Sequence, residues 1–170
     1  SMNTRCATNK RSKYIQATAA EKAGLLAATI ALSTNADVIR FGSYAEEIHY
    51  DLNDNVFNLG KSIGNANLGG TNINSAFRLL QEKYDRIIVL SDNEINYGGW
   101  VSDGYKDYMR RTGANPHIYC IDLACYGTQL LAKSDKVHYY FGYGYAMFDD
   151  IASKEFNPMM HIDKVRQIVI

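Results

Sequence analysis

The run Ile87-Ile88-Val89-Leu90, closed at once by Ser91-Asp92-Asn93-Glu94, limits the possible folds more than any other stretch of this chain. Four apolar residues in succession show neither the two-residue period of a half-exposed strand nor the 3.6-residue period of an amphipathic helix, and the run is too short for a buried helix. It suits a central strand covered on both faces, as in a parallel sheet with helices above and below.

The remaining segments fit that plan. Lys13 to Leu32 carries Ile15, Ala19, Ala23, Leu26 and Ile30 at three- and four-residue spacing in an alanine-rich background, which predicts an amphipathic helix. Ala36 to Phe41 reads as a short buried strand. After the Gly42-Ser43-Tyr44 break, Glu46 to Asp51 alternates like a half-exposed strand, so the two predict a hairpin at a sheet edge. Asp54 to Ile63 predicts a short helix, Gly64 to Gly70 a polar, glycine-rich loop, and Ile73 to Lys83 a further helix. Asp103 to Arg111 reads as a helix stopped by Gly113, His117 to Leu123 and Val137 to Phe141 as buried strands, and Ala146 to Phe156 as a closing helix. His161 to Ile170 stays open between a helix, through Ile162, Val165 and Ile168, and a strand over Gln167 to Ile170. Alternating strands and helices predict an α/β fold: a three-layer α/β/α sandwich, mainly parallel, with an antiparallel edge strand and residues 1–170 in one domain.

Composition narrows the classes of function. At 170 residues with 46% apolar and 21% charged side chains, the chain has enough material for one core. Lys plus Arg equals Asp plus Glu at 18 each, so no bulk field draws it to nucleic acid or an anionic membrane. The local cluster Arg5, Lys10, Arg11 and Lys13 suits a solvated loop and first helical turn. Cys6, Cys120 and Cys125 lack the second Cys/His pair of a structural zinc site and read as reduced thiols, with Cys120 as core packing. No apolar stretch approaches a membrane span and no signal peptide opens the chain; the expected location is cytoplasmic.

In a parallel α/β sheet, ligands bind beyond the carboxyl ends of the strands. There the chain places Asp92, directly after its most apolar strand, in a loop rich in hydroxyl and amide groups suited to a hard cation such as Mg2+. Thr71, after Gly69-Gly70 and before a predicted helix, is a second oxygen donor. The plainer roles are a helix N-cap for Thr71 and a turn residue for Asp92.

Ser1-Met2-Asn3-Thr4-Arg5 resembles the end of the Asp-x-Ser-x-Ser signature of von Willebrand A domains, Gly69-Gly70-Thr71 resembles their threonine loop, and Ser91-Asp92-Asn93-Glu94 with Gly98-Gly99 is similar to the aspartate loop of the Ro, or TROVE, ribonucleoprotein family. The likeness runs in order from Ser1 to about Phe156. It implies a metal-ion-dependent adhesion site (MIDAS) with Ser1, Thr71 and Asp92 as metal ligands, and Mg2+ offering an open position to an acidic group of a protein partner. RNA, in that family, is held through a separate domain of the full-length protein. The signature's first aspartate and serine, and the strand that delivers them, would lie upstream of Ser1, so the domain reads as truncated at its N-terminus and Mg2+ binding as weak or absent in this chain. A missing central strand leaves a gap, with upstream polypeptide, a second chain in a strand-exchanged homo-oligomer, or Gln167 to Ile170 as candidates to fill it.

The resulting expectation is a binding module and not an enzyme, without a membrane partner. Two alternatives stand beside it: a Mg2+-dependent phosphoryl-transfer or hydrolase domain, and a metal-free structural interaction domain. Against catalysis, the chain has no G-x-x-x-x-G-K-S/T loop, no G-x-S-x-G elbow and no H-E-x-x-H helix, and His49, His117, His138 and His161 are scattered in sequence. Asp51, Asp54, Asp149 and Asp150 suit helix caps and exposed ends. Tyr139, Tyr140, Tyr143 and Tyr145 with Phe141 lack the interleaved cations of a nucleic-acid platform and read as strand and turn packing.

Overall fold

A computed structural model describes residues 17–65, 68–92, 101–124, 129–132, 134–142 and 144–156. Their elements run α1 (Ala19–Thr34), β1 (Val38–Phe41), β2 (Ala45–Ile48), α2 (Val56–Gly64), α3 (Ile73–Leu79), β3 (Arg86–Ser91), α4 (Val101–Thr112), β4 (His117–Asp122), β5 (Val137–Phe141) and α5 (Tyr145–Phe156). The predicted α/β order holds, including the antiparallel pair, in which β1 and β2 join Val38 to Ile48 and Phe41 to Ala45.

The parallel ladder is built on β4. Its register with β3 runs from Arg86 opposite His117 to Ser91 opposite Asp122, and with β5 from Ile118 opposite Val137 to Asp122 opposite Phe141. Because successive side chains leave a strand on opposite faces, β4 divides its residues between two cores. Ile118 and Cys120 join Ile73 and Phe77 of α3 and Val101 and Tyr108 of α4, while Tyr119 and Ile121 join Ala19 and Ala23 of α1 and Met147 and Ile151 of α5. Helices therefore cover both faces, which makes three layers. Cys120 is fully buried, and burial pushes its thiol up to about 12, so it packs as a small hydrophobe.

Helix boundaries depart from the sequence reading for local reasons. α1 begins at Ala19 and not at Lys13, because Thr18 caps it: the Thr18 hydroxyl accepts from Glu21 N at 3.1 Å, and the Glu21 carboxylate accepts from Thr18 N at 2.7 Å. α3 stops at Leu79. The Arg111 guanidinium, reaching over from α4, donates to Phe77 O at 2.9 Å and so satisfies a carbonyl of its last turn. Tyr108, fully buried, holds the approach to β3: its hydroxyl accepts from Tyr84 N at 3.0 Å and donates to Glu82 O at 3.1 Å.

One expectation needs correction. β3 was read as a central strand buried on both faces, but among the described residues it is the edge of the sheet β3-β4-β5, and the pair β1-β2 is a separate sheet. Within Arg86–Ser91 only Val89 and Ser91 are buried, and Ile87, Ile88 and Leu90 are half-buried. The cause is a slot of about 540 Å³ between β1 and β3, lined by each residue of Val38–Phe41 and of Arg86–Ser91.

α1 is held from the far side by α2 at a glycine contact. A Cβ at Gly24 would lie 2.2 Å from Gly60 O, and one at Gly64 would lie 2.7 Å from Ala20 O. The obstacle is backbone, which cannot turn aside. Gly24→Val is therefore expected to destabilise the fold by about 1–3 kcal/mol or more by forcing the helices apart. Ser33→Ala, exposed on the same helix, is expected to stay within about 0.5 kcal/mol. Urea denaturation of the two variants checks the contrast.

Candidate functional site

Ladder register brings oxygen-bearing side chains together where β3 and β4 end. Ser91 and Asp122 are register partners, Asp92 follows Ser91, and all three are buried, with Asp92 and Asp122 at 0% exposure. The ends are tied by backbone bonds: Leu123 N donates to Ser91 O at 2.9 Å and Gly142 N to Asp122 O at 2.8 Å. One Asp122 carboxylate oxygen accepts from Ala124 N at 3.0 Å, which fixes the side chain as the chain turns out of β4.

Asp122 escaped the sequence reading because it was absorbed into the apolar run His117 to Leu123. Its signal was present. An aspartate closing a continuous apolar strand, as Asp92 does after β3, sits where α/β sheets place their ligands.

The glycine loop approaches from the β1-β2 side. Ser43 N donates to Leu68 O at 2.7 Å, Gly70 N to Ser43 Oγ at 2.8 Å and Asn72 N to Gly42 O at 2.7 Å, so the segment Leu68–Asn72 is fastened to the turn after β1. Gly69 has φ +77°, and a Cβ there would meet Ser43 Oγ at 2.7 Å; only glycine fits both the backbone and the space. Thr71 lies beyond this clamp and lines the same slot as Ser91, the residue before Asp92. The N-cap position of α3 belongs to Asn72 and not to Thr71, so the plainer role considered for Thr71 is taken by its neighbour. Ser1 lies outside the described residues, as do Met2 to Arg5, Asn93-Glu94 and Gly98-Gly99.

The available donors are oxygens. Asn72 is buried at 8% exposure and its Oδ1 has no hydrogen-bond partner among the described residues. An acceptor in that condition suits a cation or a donor group, and the side chains of Thr71, Asp92 and Asp122 also offer oxygens, a chemistry matched to a hard ion and poorly matched to zinc. Among the described residues, no group of three or more His, Cys, Asp and Glu side chains is placed to hold a metal. An ion here would therefore depend on hydroxyl, amide and water oxygens beside the carboxylates.

The opposite end of the sheet holds a cluster that sequence spacing hid. His117 and His138, 21 residues apart, stack with ring centroids at 5.4 Å and bring His117 Nδ1 within 3.1 Å of His138 Nε2. Tyr119 stacks on His138 at 4.9 Å and donates its hydroxyl to Glu155 at 2.7 Å, and Glu155 also pairs with Arg86. The Arg86 hydrogen bonds hold the Glu155 carboxyl below its usual range. Both imidazoles are held below their ordinary value, chiefly by burial. Lys136 adds to this at His117, and Lys154 and the neighbouring ring at His138; Glu155 opposes it at both, with Asp150 opposing at His138. The folded protein therefore binds fewer protons here than the unfolded chain. Stability from this source is complete above about pH 6.5, the unfolded histidine value, and is lost as pH falls through the depressed folded values. Urea midpoints are expected to decline as pH falls below about 6.5, with a shallower decline in His138→Gln.

No family model matches the sequence, and no curated protein matches it. Among solved structures the chain is similar to the RO (RSR) protein of Deinococcus radiodurans, with a TM-score of 0.68 and 17% identity over 90% of this chain. That match covers 31% of the neighbour, so the chain spans about a third of its length. At this identity the likeness is one of fold: nine-tenths of the chain takes up an α/β arrangement that a Ro protein contains.

Proposed function

We propose that this chain is the metal-ion-dependent binding module, of the von Willebrand A type, of a Ro-like ribonucleoprotein. In this reading Thr71 and Asp92, with Ser1 from the signature the opening residues resemble, hold Mg2+ at the carboxyl end of β3. The ion leaves one coordination position for an acidic group on a protein partner. RNA belongs to a separate domain of the whole protein, and the module works in the cytoplasm. The observation that carries the reading is the gathering of Thr71 and Ser91 on one slot, with Asp92 buried next in sequence, in a chain whose fold is similar to a Ro protein.

Charge sets the strength of such a site. Hydroxyls of Ser1 and Thr71 are neutral, which leaves Asp92 as the charge opposing a divalent ion that gives up its water shell reluctantly. Asp122, one strand away, is the second carboxylate able to contribute, most readily through a water. Weak binding follows. When bound, the ion supplies a Lewis-acidic position that a carboxylate can complete, and the protein residues hold and orient it.

Manganese titration followed by water-proton relaxation tests this. Saturable binding is expected, weakened at least tenfold in Asp92→Ala and Thr71→Ala and less in Asp122→Asn. Saturable binding indifferent to both Asp92→Ala and Thr71→Ala would exclude the site. Turnover of a phosphate or ester panel that disappears in Asp92→Ala would replace the binding module with an enzyme. No helix of the described residues is long and apolar enough to cross a membrane.

A further inference from the structure

At the amino end of the sheet two imidazole nitrogens are brought to meet. The ring planes of His117 and His138 lie 7° apart with centroids at 5.4 Å, and Nδ1 of His117 stands 3.1 Å from Nε2 of His138. The difference between those distances is one ring radius at each end, so the nitrogens meet edge to edge, in the plane of their lone pairs and N–H bonds. Strand pairing fixes the meeting. His117 opens β4, His138 lies opposite Tyr119 in the β4–β5 register, and the three side chains share one face of the sheet. The Tyr119 ring lies 6.2 Å from His117 and 4.9 Å from His138, within 20° of both planes, so one aromatic side chain backs the pair. Each imidazole is half-buried, which leaves part of it open to solvent.

The charges around the pair set what it can hold. Burial favours the neutral form of both rings, and the neutral imidazole is the form that ligates a metal. Glu155 favours positive charge at both rings and Asp150 favours it at His138, while Lys136 and Arg86 oppose it at His117 and Lys154 opposes it at His138. Arg86 is itself paired with Glu155, and Lys154 with Asp150. Lys136 reaches Asn115 O at 3.4 Å, so among the described residues it is the cation that bears on the pair without a carboxylate beside it.

We propose that His117 and His138 form a two-imidazole site for a divalent transition-metal ion of the zinc class, with water completing its shell. Zinc binds imidazole nitrogen at about 2.0–2.1 Å, so two nitrogens on one tetrahedral ion stand about 3.3–3.4 Å apart, close to the separation already present. The rings turn until their lone pairs converge on the ion, and the proton of the N–H···N bridge moves to the outer nitrogen of its own ring. Both rings stay neutral and no net proton is released. Among the described residues no group of three or more His, Cys, Asp and Glu is placed to hold a metal, so the site is an open one that relies on two protein ligands. Ligand type separates it from the carboxyl end of the sheet, because imidazole suits zinc, copper and nickel whereas hydroxyl and carboxylate oxygens suit magnesium. A bound ion ties the start of β4 to β5 and stabilises the folded chain by mass action.

The test is a calorimetric titration with zinc chloride in excess magnesium, on the unsubstituted chain and on His117→Gln, His138→Gln, His49→Gln and Lys136→Gln. Saturable binding is expected, weakened at least tenfold by each of the first two substitutions and unchanged by His49→Gln, whose side chain is exposed and away from the pair in sequence. Removing the opposing charge in Lys136→Gln is expected to tighten it severalfold. Nitrogen-15 spectra of the imidazoles, recorded on the unsubstituted chain during the same titration, are expected to show His117 and His138 shifting together; these decide the matter where a substituted chain fails to fold. Three results would overturn the proposal: no saturable zinc binding, binding indifferent to His117→Gln or to His138→Gln, or ring nitrogens of one histidine responding without the other. The manganese titration depends on Asp92 and Thr71, so each reading can fail while the other stands.

Discussion

The parallel pairing of β3 with β4 is the interaction on which the rest of this structure depends. A register that sets Arg86 against His117 also sets Ser91 against Asp122, so one hydrogen-bonded ladder fixes both ends of the sheet at once. At the upper end it gathers buried oxygens; at the lower end it delivers Arg86 to Glu155 and His117 to His138. A slip by one residue would turn every side chain of β4 to the other face and exchange its two cores.

That dependence also explains why the two ends differ in chemistry. Carboxyl ends of parallel strands open into loops that carry backbone donors and glycine turns, and here the loop through Gly69 and Gly70 is fastened by Ser43 to the turn after β1. Amino ends are closed by aromatic stacking, with Tyr119 between the histidine pair and Glu155. The first end carries the buried oxygens of Ser91, Asp92 and Asp122. The second holds imidazoles in partly buried surroundings that favour their neutral form.

The slot between β1 and β3 has an energetic reading of its own. Among the described residues β1 pairs with β2 and β3 with β4, so the slot runs between two strand edges flanked by helices. The same slot leaves Ile87, Ile88 and Leu90 half-exposed in the most apolar run of the chain. Gly24 marks a different economy: α1 can lie against both the slot and α2 because Gly24, Gly60 and Gly64 let the two helix backbones approach closely.

By itself the sequence determined the order and type of the elements, since each depends on local periodicity: the spans of β3 and β5 follow from short apolar runs, and Asp92 was legible as a strand-end residue because its run stops so abruptly. The start of α1 was misjudged although Thr18 and Glu21 spell a capping box, because apolar spacing continued upstream to Ile15 and periodicity does not register a cap. Asp122 was hidden by the same preference for runs over their interruptions. What only tertiary structure decided was non-local. That β3 is an edge strand among the described residues, that His117 meets His138, that Asn72 and not Thr71 occupies the cap of α3, and that Thr71 shares a slot with Ser91 all depend on strand pairing and on side chains meeting across many residues of chain, which composition and spacing do not encode.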